Sequence, residues 1–276
     1  MGADIKALRN RIKSVRSTLH LTKAMGLVAS SKIRRAQDAR SKSQEYASAL
    51  SGIVDILSSS TECKKSPYLR EGDGATRLIV IAGDRGLAGG YNVNVFRFVR
   101  EMLQEIDGTV IYPIGKKACE KYGEKIISSE QFTYEASMEL SLELCRDFRD
   151  GKYKRVGVVF TKYISMISQE PAVTWLLPLT KETKTEEESE ESTAQAIFEP
   201  DEMSVMEKSV PTYVAGLIYA LTRESFACEV VARRSAMDSA GKNASAMIDD
   251  LQLKYNRARQ GAITQEITEI VAGSGE

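Results

Sequence analysis

Residues 21–37 read LTKAMGLVASSKIRRAQ, and this stretch decides the fold. It has a helical rhythm, but the residues that recur on one side are small, such as Gly26 and Ala29. Its charged residues, Lys23, Lys32, Arg34 and Arg35, are all positive. A helix that fills a large core carries Leu and Ile on its inner face, and a solvated helix mixes its charge signs. This one does neither.

The rhythm extends far in both directions. Ile5, Leu8, Ile12, Val15, Leu19, Thr22, Gly26, Ala29, Ile33, Ala36, Arg40, Ser43, Ala47, Leu50, Val54 and Leu57 are spaced alternately by three and four. A sustained period of about 3.5 residues is the mark of a coiled-coil seam. No proline occurs before Pro67. The pattern therefore predicts one continuous helix over 1–60, roughly 80 Å long at 1.5 Å per residue. A helix of that length needs a partner of similar length.

The far end of the chain supplies one. Over 202–273 the only proline is Pro211, near the start, where the first turns of a helix tolerate it. Val214, Leu217 and Leu221, then Ala244, Met247, Leu251, Tyr255, Ala258 and Ala262, recur at threes and fours, with a loose stretch around 235–242. The small residues allow close approach. The expectation is an antiparallel pair of terminal helices, with Met247 and Leu251 set against the seam between Leu8 and Gly26.

Between the helices, 74–200 reads as an α/β domain. Strands are expected at 76–83, 109–115, 155–163 and 172–179, and helices at 93–106 and 136–151, the second closed by Gly151. Strands alternating with helices give a Rossmann-like domain with a mostly parallel or mixed sheet. The fold class is thus α/β plus a long antiparallel coiled coil.

Lys plus Arg equal Asp plus Glu at 38 each, so no overall field draws the chain to nucleic acid or a membrane. The distribution is uneven. Residues 1–42 hold eleven Lys/Arg against Asp4 and Asp38, a local balance of +9, while KETKTEEESEEST (181–193) is acidic and reads as a solvated loop. The four cysteines are far apart, without zinc-ligand or disulfide-framework spacing, which fits a reducing compartment. No apolar run is long enough to span a bilayer. GDRGLAGGYN (83–92) lies between a strand and a helix, where a phosphate cradle would sit. It lacks G-x-G-x-x-G and Walker spacing, so a tight structural turn is the preferred reading. His20, the only histidine, reads as a helix-surface residue. No nucleophile–base set suggests itself, so the residues point to a mechanical or scaffolding protein.

The first 37 residues, MGADIKALRNRIKSVRSTLHLTKAMGLVASSKIRRAQ, closely resemble the start of the gamma subunit of rotary F-type ATP synthases of the bacterial type. AGDRGLAGGYN (82–92), IFEPD (197–201) and LQLKYNRARQGAITQEITEIVAG (251–273) resemble that family's other marks, in order and across essentially the whole chain. Ala88 stands where many members have Cys, and Ser274 where Ala is usual. The redox-switch insert of the chloroplast form has no counterpart here.

The resemblance implies the central shaft of a peripheral membrane complex on the cytoplasmic face of the bacterial cell membrane. Its terminal helices would sit inside three alpha and three beta subunits, and its α/β domain would bind epsilon and the membrane rotor ring. Proton-driven rotation would cycle the beta subunits for ATP synthesis, or hydrolysis in reverse. The chain itself would carry no catalytic site, cofactor or metal. The resemblance also implies subunit contacts at Met25 with Lys23 beside it, at Arg233 on the opposite helix, and at Arg259, Gln260, Thr264 and Glu266 on the upper shaft. Small seam residues would keep a turning shaft from locking, and basic charge would slide along an acidic rim on beta. Residue patterns alone leave a basic scaffold for nucleic acid as the main alternative. Such a scaffold explains the basic arm but not the polar tip RQGAITQE (259–266), and the arm has no interleaved aromatics for bases. A dinucleotide-binding enzyme is the more distant alternative.

Overall fold

The computed structural model describes residues 2–123, 126–179 and 198–273; the acidic stretch 181–193, Ile197 and Ser274 lie outside them. The chain divides into two compact units, Met1–Ser31 with Arg233–Glu276, and Lys32–Ala232. Helices α1 (Gly2–Ser59) and α5 (Glu202–Gly273) each run through both.

In the unit of 1–31 and 233–276, α1 and α5 pair. Arg234 donates to the Ser30 hydroxyl. A Cβ at Gly26 would stand 3.6 Å from Met237 Cβ, and one at Gly241 3.7 Å from Thr22 Oγ1. Residue numbers rise on one helix as they fall on the other, so the pairing is antiparallel. Continuing that register brings Ile12, 8 % exposed, opposite Leu251, 7 % exposed. The seam of α1 is the one its spacing predicts: none of its sixteen positions is exposed, in either unit. That of α5 differs in detail. Met247 is 46 % exposed and Ile248 turns inward instead. The stretch expected to be loose is filled by Met237 and Gly241, so inward positions run 237, 241, 244, 248, 251, 255, 258, 262 without a slip.

The unit of 32–232 is built on a four-stranded sheet in the order β2-β1-β3-β4. The strands are β1 (Ala75–Ile81), β2 (Thr109–Ile114), β3 (Tyr153–Tyr163) and β4 (Gln169–Leu177). β1 pairs parallel with β2 and β3, and β4 runs antiparallel on β3. Alternate residues of β1 serve two cores. Leu78 and Val80 pack with Val95 and Val99 of α2 (Tyr91–Glu105). Ile79 and Ile81 belong to the larger core, with Leu140 and Leu144 of α4 (Tyr134–Arg149), Leu57 of α1, and Met206, Val210, Val214 and Ile218 of α5. The terminal helices are thus one face of the sheet's own core.

Local chemistry fixes the element ends. The Thr133 side chain accepts from Ala136 N–H and caps α4. The helix closes at Gly151, whose φ of +76° suits glycine. The short α3 (Lys116–Tyr122), absent from the sequence pattern, ends the same way at Gly123, φ +77°. Pro211 is the tenth residue of α5, in its third turn. Contact with α4 takes up backbone groups there: Ser141 Oγ donates to the Pro211 carbonyl at 2.5 Å and Ser137 Oγ to that of Ala215 at 2.7 Å.

Gly115 has φ +98°, and a Cβ there would stand 1.9 Å from the Ala82 carbonyl oxygen. Gly115→Ala should therefore cost about 3 kcal/mol, or roughly 6–12 °C in melting temperature. Gly52, mid-helix with nothing within 4 Å of its added Cβ, should gain about 0.5–1 kcal/mol on Gly52→Ala. Thermal unfolding of the two variants beside the parent chain checks both signs.

Candidate partner-binding site on the helix pair

Along 1–31 and 233–273 the inner face is consumed by the seam, so binding chemistry must lie on the outer faces. Lys23 is exposed and Met25 half-buried beside the seam residue Gly26. Arg233 is half-buried on α5, next to Arg234. A groove of about 460 Å³ opens between the helices, lined by Lys23, Gly26, Leu27, Arg234, Gly241 and Lys242 among others. Lys23 therefore belongs to it, while Met25 and Arg233 lie outside its lining. Within it Lys242 bonds Asp238 at 2.8 Å and holds that carboxyl below its usual range.

Arg259, Gln260, Thr264 and Glu266 are exposed near the end of α5. Thr264 Oγ1 turns back to the Gln260 carbonyl at 3.0 Å. In the antiparallel register, the first residues of α1 fall opposite about Gly261. Beyond it no described residue of α1 faces α5, and Ile263, Ile267, Ile270 and Val271 are 47–70 % exposed. Leu21, Leu27 and Val28 are likewise 56–73 % exposed. These apolar groups were not singled out from sequence, because they fall between seam positions and read as ordinary helix surface. Repeated exposed apolar residues on a paired helix mark a surface for other chains. A second cleft, about 680 Å³, is lined by Lys6, Arg9, Lys13 and Arg16 with Asn10, Ile12, Gln252 and Tyr255. It carries four cations and no acid, so it suits an anionic partner surface. His20 lies exposed on α1.

The Gly-rich loop is a different matter. β1 is flanked by β2 on one side and β3 on the other, so the C-terminal ends of β1 and β3 form the switch point where open α/β sheets bind ligands. Here the chain's own carboxylates take the donors a phosphate would use. Asp84 accepts from the N–H groups of Lys116 (3.0 Å), Ser129 (2.9 Å) and Glu130 (2.9 Å) and from Ser128 Oγ (2.6 Å). Asp84 N–H donates to Glu229 of α5 at 3.4 Å, and a Cβ at Gly83 would meet Glu229 Cδ at 2.8 Å. Burial pushes the Asp84 carboxyl up, but these hydrogen bonds outweigh it and hold the group below its usual range. Gly83–Asn92 is a structural clasp. The one strained residue in it is Leu87, exposed at φ +59°.

Two long terminal helices paired antiparallel, with an α/β domain inserted between them in the sequence, define the fold class. The ATP synthase family model matches residues 4–275. The chain is 37 % identical to the ATP synthase gamma chain of Ruminococcus albus over 284 residues, covering 99 % of this chain and 98 % of that one. It is 34 % identical to the sodium-ion-specific ATP synthase gamma chain of Acetobacterium woodii over 298 residues, 99 % of each. A chain of the Euglena gracilis mitochondrial ATP synthase (OSCP, F1 and c-ring) shares the fold at TM-score 0.67 and 18 % identity, over 99 % of this chain and 94 % of that one. One from the central stalk and c-ring of the Tetrahymena thermophila enzyme does so at 0.61 and 19 %, over 80 % and 99 %. The chain belongs to the ATP synthase gamma-chain family.

Two outcomes follow. Cysteines at Thr22 and Gly241 should form a disulfide within one chain under mild oxidation, seen as a monomeric shifted band; disulfide-linked dimers would contradict the antiparallel register. Asp84→Asn should cost about 2 kcal/mol at pH 7. Because the folded pKa of Asp84 is depressed, its contribution is present above the unfolded carboxylate value, about 4, and is lost as pH falls through the folded one. Denaturant midpoints of parent and variant should therefore converge below about pH 4.

Proposed function

We propose that this chain is the central rotor shaft of an F-type ATP synthase, coupling ion-driven rotation to the conformational cycle that makes ATP, or hydrolyses it in reverse. The observation that carries the reading is the helix pair: two helices of 58 and 72 residues with an unbroken seam and apolar groups left on the outside. Such a rod has no core left to fill and a surface suited to a sleeve. The family membership supports the same reading and does not favour a nucleic-acid scaffold.

The sleeve in this reading is three alpha and three beta subunits, with epsilon and the membrane ring on the α/β body. The bacterial relatives support placing the complex on the cytoplasmic face of the plasma membrane. The chemistry of ATP belongs to the beta subunits, and this chain holds no nucleotide, cofactor or metal of its own. Occupation of the switch-point donors by Asp84 and Glu229 supports that assignment. Met25, with Lys23 and the exposed Leu21, Leu27 and Val28, would meet the moving part of beta, and Arg233 would act from α5. Arg259, Gln260, Thr264 and Glu266 would hold a beta loop through polar contacts near the exposed end of α5. A shaft orientation that touches one beta conformer better than another shifts that conformer's population by the difference in contact energy, and no more.

Reconstitution with alpha and beta tests the reading: ATP hydrolysis should require this chain, and the isolated chain should bind ATP no better than millimolar by calorimetry. Met25→Lys gives the sharper result. A lysine at this half-buried position can bond a beta carboxylate at some shaft angles only, worth about 1.5–3 kcal/mol. Rotation-linked synthesis should slow by about tenfold or more, while the isolated chain melts within about 2 °C of the parent. A large loss of melting temperature with unchanged coupling per assembled complex would mean that Met25 only packs in the coil.

A further inference from the structure

The apolar core that joins α1 and α5 to the sheet is not the only bond between them. A second set of contacts lies at one end of that unit, and all of it is directional. On α5 it involves Arg223, Glu224, Ser225, Cys228 and Glu229, less than two helical turns. On α1 it involves Lys32, Gln37, Arg40 and Gln44. These are the final turns of each helix before it leaves the unit at 31/32 and 232/233.

The contacts interlock three partners. First, α5 caps the ends of β1 and β3. Tyr163 N–H donates to Glu224 Oε1 at 2.9 Å, Thr161 N–H to Ser225 Oγ at 3.1 Å, and Asp84 N–H to Glu229. Cys228 Sγ donates to the Thr161 carbonyl at 3.4 Å, and the Tyr91 hydroxyl reaches the Ser225 carbonyl at 2.9 Å. Second, the segment 128–132 is held from both sides. Asp84 binds its N–H groups, and Arg223 donates to the carbonyls of Ser129 (2.5 Å), Glu130 (3.2 Å) and Phe132 (3.1 Å), its guanidinium set beside the Tyr219 and Phe226 rings. Third, α1 is tied to both. Lys32 pairs with Glu130 at 2.5 Å, Gln44 donates to Glu224 Oε2 at 3.2 Å, and the Arg40 guanidinium lies 4.5 Å over the Tyr163 ring with Nε 3.9 Å from Glu224. Gln37 reaches the Tyr163 hydroxyl at 3.3 Å.

We infer that this polar ring, centred on Arg223, Glu224 and Asp84, is a torque clamp: it fixes the stretches of both terminal helices at 32–44 and 223–229 in angle against the sheet of the same unit, so that the helices turn with the sheet without slip. The inference rests on the rotor reading above and adds positioning residues to it. The hydrophobic attraction is non-directional, so it does not by itself select one angle between helix and sheet. Hydrogen bonds weaken steeply as the donor angle turns away from linear, so they resist rotation directly. Arg223 spans three carbonyls with a rigid fork, and Glu224 uses both oxygens, one toward the sheet and one toward α1. The ring also explains why the switch-point crevice of this sheet is filled from α5. The place where related folds hold a ligand here holds the shaft.

The test uses the reconstituted complex, with alpha and beta fixed and a probe on the α/β body, and reads the angular fluctuation of a stalled rotor. Arg223→Lys keeps the charge but loses the fork, and Glu224→Gln keeps an acceptor for Tyr163 but loses the ion pair with Arg40. Each should raise the angular variance at least twofold and lower ATP-driven ion pumping per ATP hydrolysed, with hydrolysis itself retained. Leu144→Ala, in the same core but outside the ring, should lower the melting temperature and leave the variance unchanged. Parental variance in both ring variants, or equal broadening by Leu144→Ala, would overturn the clamp. If Arg223→Lys does not assemble, Glu224→Gln decides the matter alone. A parent chain that assembles but never rotates would instead overturn the rotor reading itself.

Discussion

A seam with a period of about 3.5 residues can be satisfied only by another helix with a matching seam, and in this chain the match is its own far end. That constraint organises everything else. α1 cannot bury Ile12, Thr22 and Ala29 without α5, and α5 cannot bury Met237, Ala244 and Leu251 without α1. Antiparallel pairing brings the two ends of the sequence together and forces the intervening residues into an insertion. The sheet then uses the same two helices as one wall of its core, through Leu57 on α1 and Met206 to Ile218 on α5.

The chemistry of the contact changes along the helices. In the pair of 1–31 with 233–273 the contact around 22–29 and 237–244 is built largely from small groups, Thr22, Gly26, Ala29, Gly241 and Ala244, with Met237 among them, while Ile12 and Leu251 fill it further along. Close backbone approach makes such a rod thin and leaves its long side chains outside, where Lys6, Arg9, Lys13 and Arg16 line one cleft. Near 32–44 and 223–229 the contact turns polar and directional, with Arg223, Glu224 and Glu229 all largely removed from water. Buried charges are tolerated only when each is hydrogen-bonded, and here each has named partners. A rod that must slide against its surroundings, yet not slip on its own base, needs both kinds of surface.

How much of this could be read from sequence follows from the range of each interaction. The α1 seam was fully legible, because helical burial is set by spacing along one chain. The middle of α5 was not: Met237, Gly241 and Ala244 sit among Ser, Asp and Lys, so a correct seam looked loose. The strands of the sheet were legible as apolar runs, but α3, seven residues long, is too short to show a period. The Gly-rich loop could be read as a turn, yet its cause, a glutamate 145 residues away, has no local signature. The same holds for Arg223, which binds carbonyls more than 90 residues distant. Lys23, Met25, Arg233, Arg259, Gln260, Thr264 and Glu266 came from family resemblance and not from pattern. Their exposed or half-buried placement fits a partner surface, but spacing alone would not separate them from any solvated helix residue.

The central claim is that this chain turns as a shaft. The direct measurement attaches a visible probe through a cysteine at Val110, 42 % exposed on the α/β body, with the alpha and beta subunits immobilised and ATP supplied. The account predicts continuous rotation in one direction, stopping when ATP is exhausted. ATP hydrolysis by an intact complex whose probe holds a fixed angle would contradict it.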